Sequence, residues 1–269
     1  MENPDRDRRG SESVQASLLY LSDADPSSKD DATGWPGRSI PHTVTISNAR
    51  LIERELSLDR SGFVLLRHQS AVKNFYDEGE VRAVYYPELA RMLSESAGAA
   101  KVVVFAHDVR TSDKTKRDGE KIREPVASVH NDYTPKSAPQ MVMETLPADE
   151  AQVRLGKRFV EINIWRPIKG PVLDAPLAIC DARSIAPHDL VGIDRYLRHE
   201  VYMMRFNPNH RWFYFPQMGA DETILIKGFD SMCDGRARFT AHAAFADPMT
   251  PPNAPARESI EARALLFFD

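Results

Sequence analysis

From Arg158 onward the chain is a succession of short β-prone runs broken by turn residues: Phe159 to Trp165, Leu177 to Cys180, Val201 to Phe206, Trp212 to Phe215, Thr223 to Ile226, Arg236 to Phe245 and Ser259 to Phe268. Runs of this length satisfy their backbone groups by pairing with one another, and so many at this spacing predict a sandwich or barrel. Ahead of them the texture is mixed. Tyr85, Leu89, Met92 and Leu93 recur at helical spacing with Pro87 in the first turn, which predicts an amphipathic helix from about 83 to 96, closed near Gly98. Such a helix covers the outside of a sheet. Lys101 to His107 is a β-branched run and reads as a buried strand, whereas 111–124 is heavily charged, has no apolar face and reads as a loop, a candidate lid. A further helical segment is expected over 137–157, with Pro147 opening its second part.

The fold class expected is therefore mainly β with flanking helices. With 269 residues and 42% hydrophobic content the chain can bury a full core. Residues 1–12 and 22–42 mix charged, Ser, Pro and Gly residues without periodicity, so 1–42 is read as a flexible N-terminal extension in which Ala16 to Leu21 can add an edge strand, and 43–269 as a single domain. A net charge of −4 and a pI near 6.1 argue against a phosphate-tracking surface, and hence against nucleic acid as a partner. Cys180 and Cys233 are too few for a disulfide framework and fit a reducing compartment. No apolar leader region follows Met1, and runs such as Val102 to Ala106 are too short to span a bilayer. The expectation is a soluble, cytoplasmic protein acting on a small molecule rather than on a membrane.

Three short motifs carry chemistry. His130 and Asp132 lie two residues apart on a β-prone run, so both project to one face and can bind one ion. Alone, the pair also reads as a surface histidine beside a turn aspartate. His242 sits in Arg236 to Phe245, where Arg238, Thr240 and His242 share one face and Phe239, Ala241, Ala243 and Phe245 the other. Two histidines and a carboxylate leave three positions open on iron(II), enough for a bidentate 2-oxo acid and dioxygen. Fifteen residues after His242, Arg257 and Ser259 share a face of the next strand, and a guanidinium fork with a hydroxyl suits the distal carboxylate of such an acid. The pairs His107-Asp108 and His188-Asp189 point to opposite strand faces, and His210, after an apparent turn, is the reserve ligand.

Glu161-Ile-Asn-Ile-Trp-Arg-Pro-Ile168, Pro176 to Ser184, Trp212 to Met218, Asp221 to Ser231 and His242 to Arg263 resemble the AsaB-like hydroxylase/desaturase branch of the iron(II)/2-oxoglutarate-dependent oxygenases, a branch related to the cephamycin methoxylase small chain and to gibberellin desaturase. The resemblance implies a double-stranded β-helix core, iron(II) held by His130, Asp132 and His242, 2-oxoglutarate anchored by Arg257 with Ser259, and dioxygen as co-reactant. It also implies hydroxylation, desaturation or ring closure of a secondary metabolite, or of an amino-acid-derived substrate. On Phe159 to Trp165, Asn163 can donate to the cosubstrate and Trp165 can wall the pocket, although both also read as packing and strand-end residues. Tyr202, Trp212 and Tyr214 are candidates for the substrate side, with the same reservation for packing. Arg183 and Arg263 read as structural ion-pair residues, Arg263 with Glu261. The competing functions are a non-catalytic β-helix accessory subunit and a cupin-like metal enzyme without an oxo acid; zinc hydrolysis is disfavoured by the lack of an HExxH-type arrangement.

Overall fold

The structure, a computed structural model, describes residues 11–22, 39–118, 121–194 and 199–269. It is built on two facing sheets. Strand β1 (Ser13–Leu21) alternates exposed and buried positions and pairs antiparallel with β2 (Ser39–Asn48), from Ser13 opposite Ser47 to Leu21 opposite Ser39. After β3 (Phe63–Arg67) the chain becomes helical: α1 (Glu78–Glu80), capped by the Asp77 carboxylate, runs through a π-helical stretch over Val81–Tyr85 into α2 (Tyr86–Ala97). Gly98 ends α2 in the left-handed conformation, φ 65°, which an L side chain adopts only at a cost.

Then follow β4 (Lys101–Thr111), β5 (Ile122–Arg123) and β6 (His130–Asn131), the short helices α3 (Ser137–Thr145) and α4 (Ala148–Leu155), and the strands β7 (Phe159–Pro167), β8 (Leu177–Cys180), β9 (Leu190–Asp194), β10 (Glu200–Met204), β11 (Trp212–Tyr214), β12 (Glu222–Asp230), β13 (His242–Ala244) and β14 (Glu258–Phe267). One sheet has the order β3-β12-β7-β14-β4-β5 and the other β1-β2-β11-β8-β13-β6-β10-β9. This is the double-stranded β-helix expected.

Period-two alternation decides what each face of the first sheet buries. Ile260, Ala262, Ala264 and Leu266 of β14, with Val160, Ile162 and Ile164 of β7, form one apolar layer with Leu89 and Leu93 of α2. Burying each such large aliphatic side chain contributes roughly 1.5–3 kcal/mol. The alternate residues, Ser259, Glu261 and Arg263 on β14 and Glu161, Asn163 and Trp165 on β7, therefore face the second sheet. Trp165 packs there against Leu177 and Ile179 of β8 and Ile224 and Ile226 of β12.

Several boundaries differ from expectation. The stretch 1–42 contains all of β1 and the start of β2, because Val14, Ala16, Leu18 and Tyr20 bury a continuous row on the second sheet; residues 1–10 and 23–38 lie outside the described residues. The long strand expected over 236–245 shrinks to His242–Ala244, since Arg236 turns to Asp234 and Asp59 and Phe239 leaves the row to meet Tyr202 and Phe229. In the charged stretch, Arg117 folds back onto the carbonyls of Thr111 and Ser112 and onto Glu124, while Lys116 reaches Glu258; 119–120 lie outside the described residues.

Candidate metal centre

His130 and His242 come from strands that are neighbours in the second sheet and stand directly opposite one another in register. Their rings lie 4.5 Å apart between centroids, and both residues are buried. The His130 Nδ1 lies 2.8 Å from the Ser128 carbonyl oxygen. A carbonyl only accepts, so Nδ1 carries the proton and Nε2 is the unprotonated nitrogen, the tautomer a metal requires. Burial, reinforced by the neighbouring His242, lowers the His130 pKa to about 3, so the ring is neutral at physiological pH.

Asp132 follows directly, its side chain 10% exposed, with Oδ1 3.6 Å from His130 Nε2. Its other oxygen is fully engaged: Oδ2 accepts from Asn163 Nδ2 at 2.8 Å and from Arg263 Nε at 3.2 Å. Burial alone would raise this carboxyl, but Arg263 first, and then the two histidines, hold it well below the usual carboxylate range. The same Arg263 donates to Asp108 at 2.9 Å and to Glu261 at 2.8 Å, so one guanidinium binds three carboxylates. Asp132, His242 and Glu261 each place one ligand atom within 4.8 Å of the other two.

Ser259 is the inward residue of β14 preceding Glu261, and Arg257 lies just before the strand. Arg257 is 3% exposed; one terminal nitrogen donates to the Ala175 carbonyl at 2.5 Å and the guanidinium lies 5.4 Å from the Trp165 ring centroid. Burial, together with the like charge of Arg110, pulls its pKa down to about 9. Its Nε and the Ser259 hydroxyl are buried without a hydrogen-bond partner within the protein, as are Asn163 Oδ1 and His242 Nδ1. Unpaired buried donors cost roughly 1–3 kcal/mol each, and a bound carboxylate would satisfy both Arg257 and Ser259. The residues present therefore fit iron(II) at the two histidines and Asp132 and, at Arg257 and Ser259, the distal carboxylate of 2-oxoglutarate.

Of the expected site residues, His130, Asp132, His242, Asn163, Trp165, Arg257 and Ser259 converge. Asn163 serves the aspartate with its amide nitrogen, and only its oxygen is left for a ligand. Tyr202 does not join them. It pairs with Asn131 while Met203 pairs with His130, so it points to the other face of the sheet, into a pocket shared with Arg183, Arg238 and Phe239. Trp212 also faces away: it is 1% exposed in the apolar layer under β1 and donates from Nε1 to the Tyr20 hydroxyl at 2.6 Å. Tyr214 belongs to the same layer. His210, the reserve ligand, is tied between Asp189 at 3.0 Å and Tyr20 at 3.2 Å, and His107 meets the Tyr86 hydroxyl. The Arg263–Glu261 ion pair was expected, but the reach of Arg263 to Asp132 and Asp108 and the place of Glu261 beside His242 were not. The alternation Ser259-Ile-Glu261-Ala-Arg263, polar at every second residue, was the available signal.

Comparison with known proteins bears on the family and the fold. The family model described as an oxidoreductase/YMDC permease-like domain matches residues 9–267, although no helix among the described residues is long and apolar enough to cross a membrane. The hydroxylase/desaturase efuI of Hormonema carpetanum is 35% identical over 84% of this chain and 83% of its own length. The alpha-ketoglutarate-dependent dioxygenase phiK of a fungal species is 32% identical over 95% and 96%. The iron and alpha-ketoglutarate-dependent endoperoxidase NvfI superposes with a TM-score of 0.85 at 28% identity, covering 96% of this chain and 98% of that one. The chain thus belongs to the AsaB-like hydroxylase/desaturase family, and it is an iron(II)/2-oxoglutarate-dependent dioxygenase of fungal secondary metabolism rather than an accessory subunit.

Proposed function

We propose that His130, Asp132 and His242 hold the iron, that Arg257 and Ser259 anchor 2-oxoglutarate, and that the enzyme hydroxylates, desaturates or oxidatively cyclises a small-molecule secondary metabolite. The observation that carries this reading is the meeting, on the inner face, of His130 Nε2, Asp132 Oδ1 and His242, with two buried, unpartnered donor atoms nearby, Arg257 Nε just before β14 and the Ser259 hydroxyl on it. Iron(II) with 2-oxoglutarate and dioxygen supplies an oxidant able to take hydrogen from an unactivated C–H bond. The protein's part is geometric. Asn163 and Arg263 occupy Asp132 Oδ2 and so present Oδ1 alone to the metal. Trp165, Ile179, Ile224 and Ile226 keep water from the inner end of the cosubstrate site. Both cysteines are free, which supports a reducing compartment, the cytoplasm.

The test is an anaerobic titration with iron(II) and 2-oxoglutarate, following the weak visible charge-transfer band of the chelate. The band is expected in the native enzyme and not in His242→Ala; a folded native enzyme without it, or a His242→Ala variant that keeps it, defeats the assignment. In the same titration Arg257→Ala should need at least tenfold more 2-oxoglutarate while retaining the metal, as expected when a charge-assisted fork is lost. An unchanged requirement moves the anchor elsewhere.

A further inference from the structure

Arg263 holds two carboxylates at the centre in the same way. It takes Oδ2 of Asp132, whose Oδ1 faces His130 Nε2 at 3.6 Å, and it takes Oε1 of Glu261, whose Oε2 lies 3.8 Å from His242 Nε2. Each acid therefore gives one oxygen to the guanidinium and turns the other toward an imidazole nitrogen. Metal–ligand bonds of about 2.1 Å place neighbouring ligand atoms roughly 3 Å apart and opposite ones about 4.2 Å apart. The separations of 3.6 and 3.8 Å fall between these values, and the ligand atoms of Asp132, His242 and Glu261 share one 4.8 Å cluster.

We propose that Glu261 is a fourth protein ligand in the cosubstrate-free enzyme, bound to the ion through Oε2, and that it withdraws to Arg263 when 2-oxoglutarate binds. This rests on the assignment of His130, Asp132 and His242 as ligands. Three protein ligands leave three positions on a six-coordinate ion, two for the oxo acid and one for dioxygen. With Glu261 attached only two remain, so the chelate and dioxygen cannot both be accommodated until it leaves. Its place on the strand makes the exchange direct. Glu261 is the next inward residue after Ser259 on β14, so an acid anchored at Arg257 and Ser259 and reaching toward the metal runs along the strand toward it. Arg263 gives the displaced carboxylate a partner already in contact, and no charge is stranded.

The experiment titrates the protein with cobalt(II) alone, by calorimetry, without and with saturating 2-oxoglutarate under nitrogen. Glu261→Gln keeps an acceptor for Arg263 and removes the ligand charge; Glu261→Asp keeps the charge beside Arg263 and shortens the reach by one methylene. Both variants are expected to bind cobalt about tenfold more weakly than the native protein without 2-oxoglutarate, and within about twofold of it when the oxo acid is present. Native affinity in Glu261→Gln, or an equal loss with and without 2-oxoglutarate, overturns the proposal. So does Glu261→Asp behaving as native while Glu261→Gln is weak, because charge alone would then suffice. His242→Ala separates the two levels: if it binds cobalt normally, the metal site itself is misassigned, whereas if only Glu261 proves indifferent, the three-ligand site stands. Thermal melting of each variant registers any loss of fold.

Discussion

Asp132 can act as a one-oxygen ligand because its second oxygen is already occupied, and the residue that does most of this is Arg263. Its guanidinium stands among Asp132, Glu261 and Asp108, and the clustered acids in turn raise its pKa well above the ordinary arginine value. Removing it leaves three carboxylates facing one another with little solvent. Arg263→Gln is expected to destabilise the metal-free protein by about 3 kcal/mol, in the range seen when one partner of a buried ion pair is deleted, and added divalent metal should restore part of the loss. Urea unfolding with and without metal checks both statements; an unchanged midpoint in the metal-free protein would mean that water already screens the cluster. The Glu261–Arg263 contact was legible in the sequence, since residues two apart on a strand share a face. The contact with Asp132 was not, because the two residues are separated by 131 positions and meet only when β14 faces the second sheet.

At the scale of elements, the strands after Arg158 were legible because each is a short apolar or alternating run, and α2 because its buried residues follow helical spacing. The β1–β2 hairpin was only half visible. Ala16 to Leu21 has a clear apolar row, but β2 contains Ser, Pro, His and Thr and is recognisable chiefly by its partners. What fixes β1 is Tyr20, whose hydroxyl receives the Trp212 N–H and meets His210 Nδ1. Trp212 is thus a packing residue in a polar-tipped aromatic cluster, which type and spacing alone could not distinguish from a substrate wall. Tyr20→Phe leaves the indole N–H and one imidazole nitrogen buried and unpaired, and should cost about 1–3 kcal/mol of unfolding free energy. Metal affinity should not move, since the cluster lies on the outer face of the sheet. A change in cobalt binding without loss of stability would show that the hairpin instead shapes the site.

On the scale of the whole molecule, the two halves of the centre bury neutral forms of opposite kinds, and their pH dependences oppose one another. His130 has its pKa lowered by burial from 6.5 to about 3, so below pH 6.5 the unfolded chain gains a proton that the folded one refuses. Stability from this source is complete above that pH and is lost as pH falls toward 3. Glu161 behaves in the reverse sense. It is fully buried, both its oxygens lack a partner, and a Cβ on Gly228 would lie 1.9 Å from one of them. Burial, followed by the nearby charge of Asp132, raises its pKa well above 4.5, so the folded chain keeps a proton that the unfolded chain releases. Its contribution is complete below 4.5 and is lost as pH rises. Between these limits the two slopes, each about 1.4 kcal/mol per pH unit, cancel. Glu161→Gln has nearly the same shape and no proton to lose. In urea unfolding with a chelator present, it should match the native protein near pH 4.5 and exceed it by an amount that grows by about 1.4 kcal/mol per unit toward neutrality. Subtracting the two proteins removes every other titrating group, including the acids held below their usual range at Asp108, Glu222 and Asp230. A difference that is constant across pH would therefore mean that Glu161 is ionised in the fold, and that the interior behind Asp132 is wet.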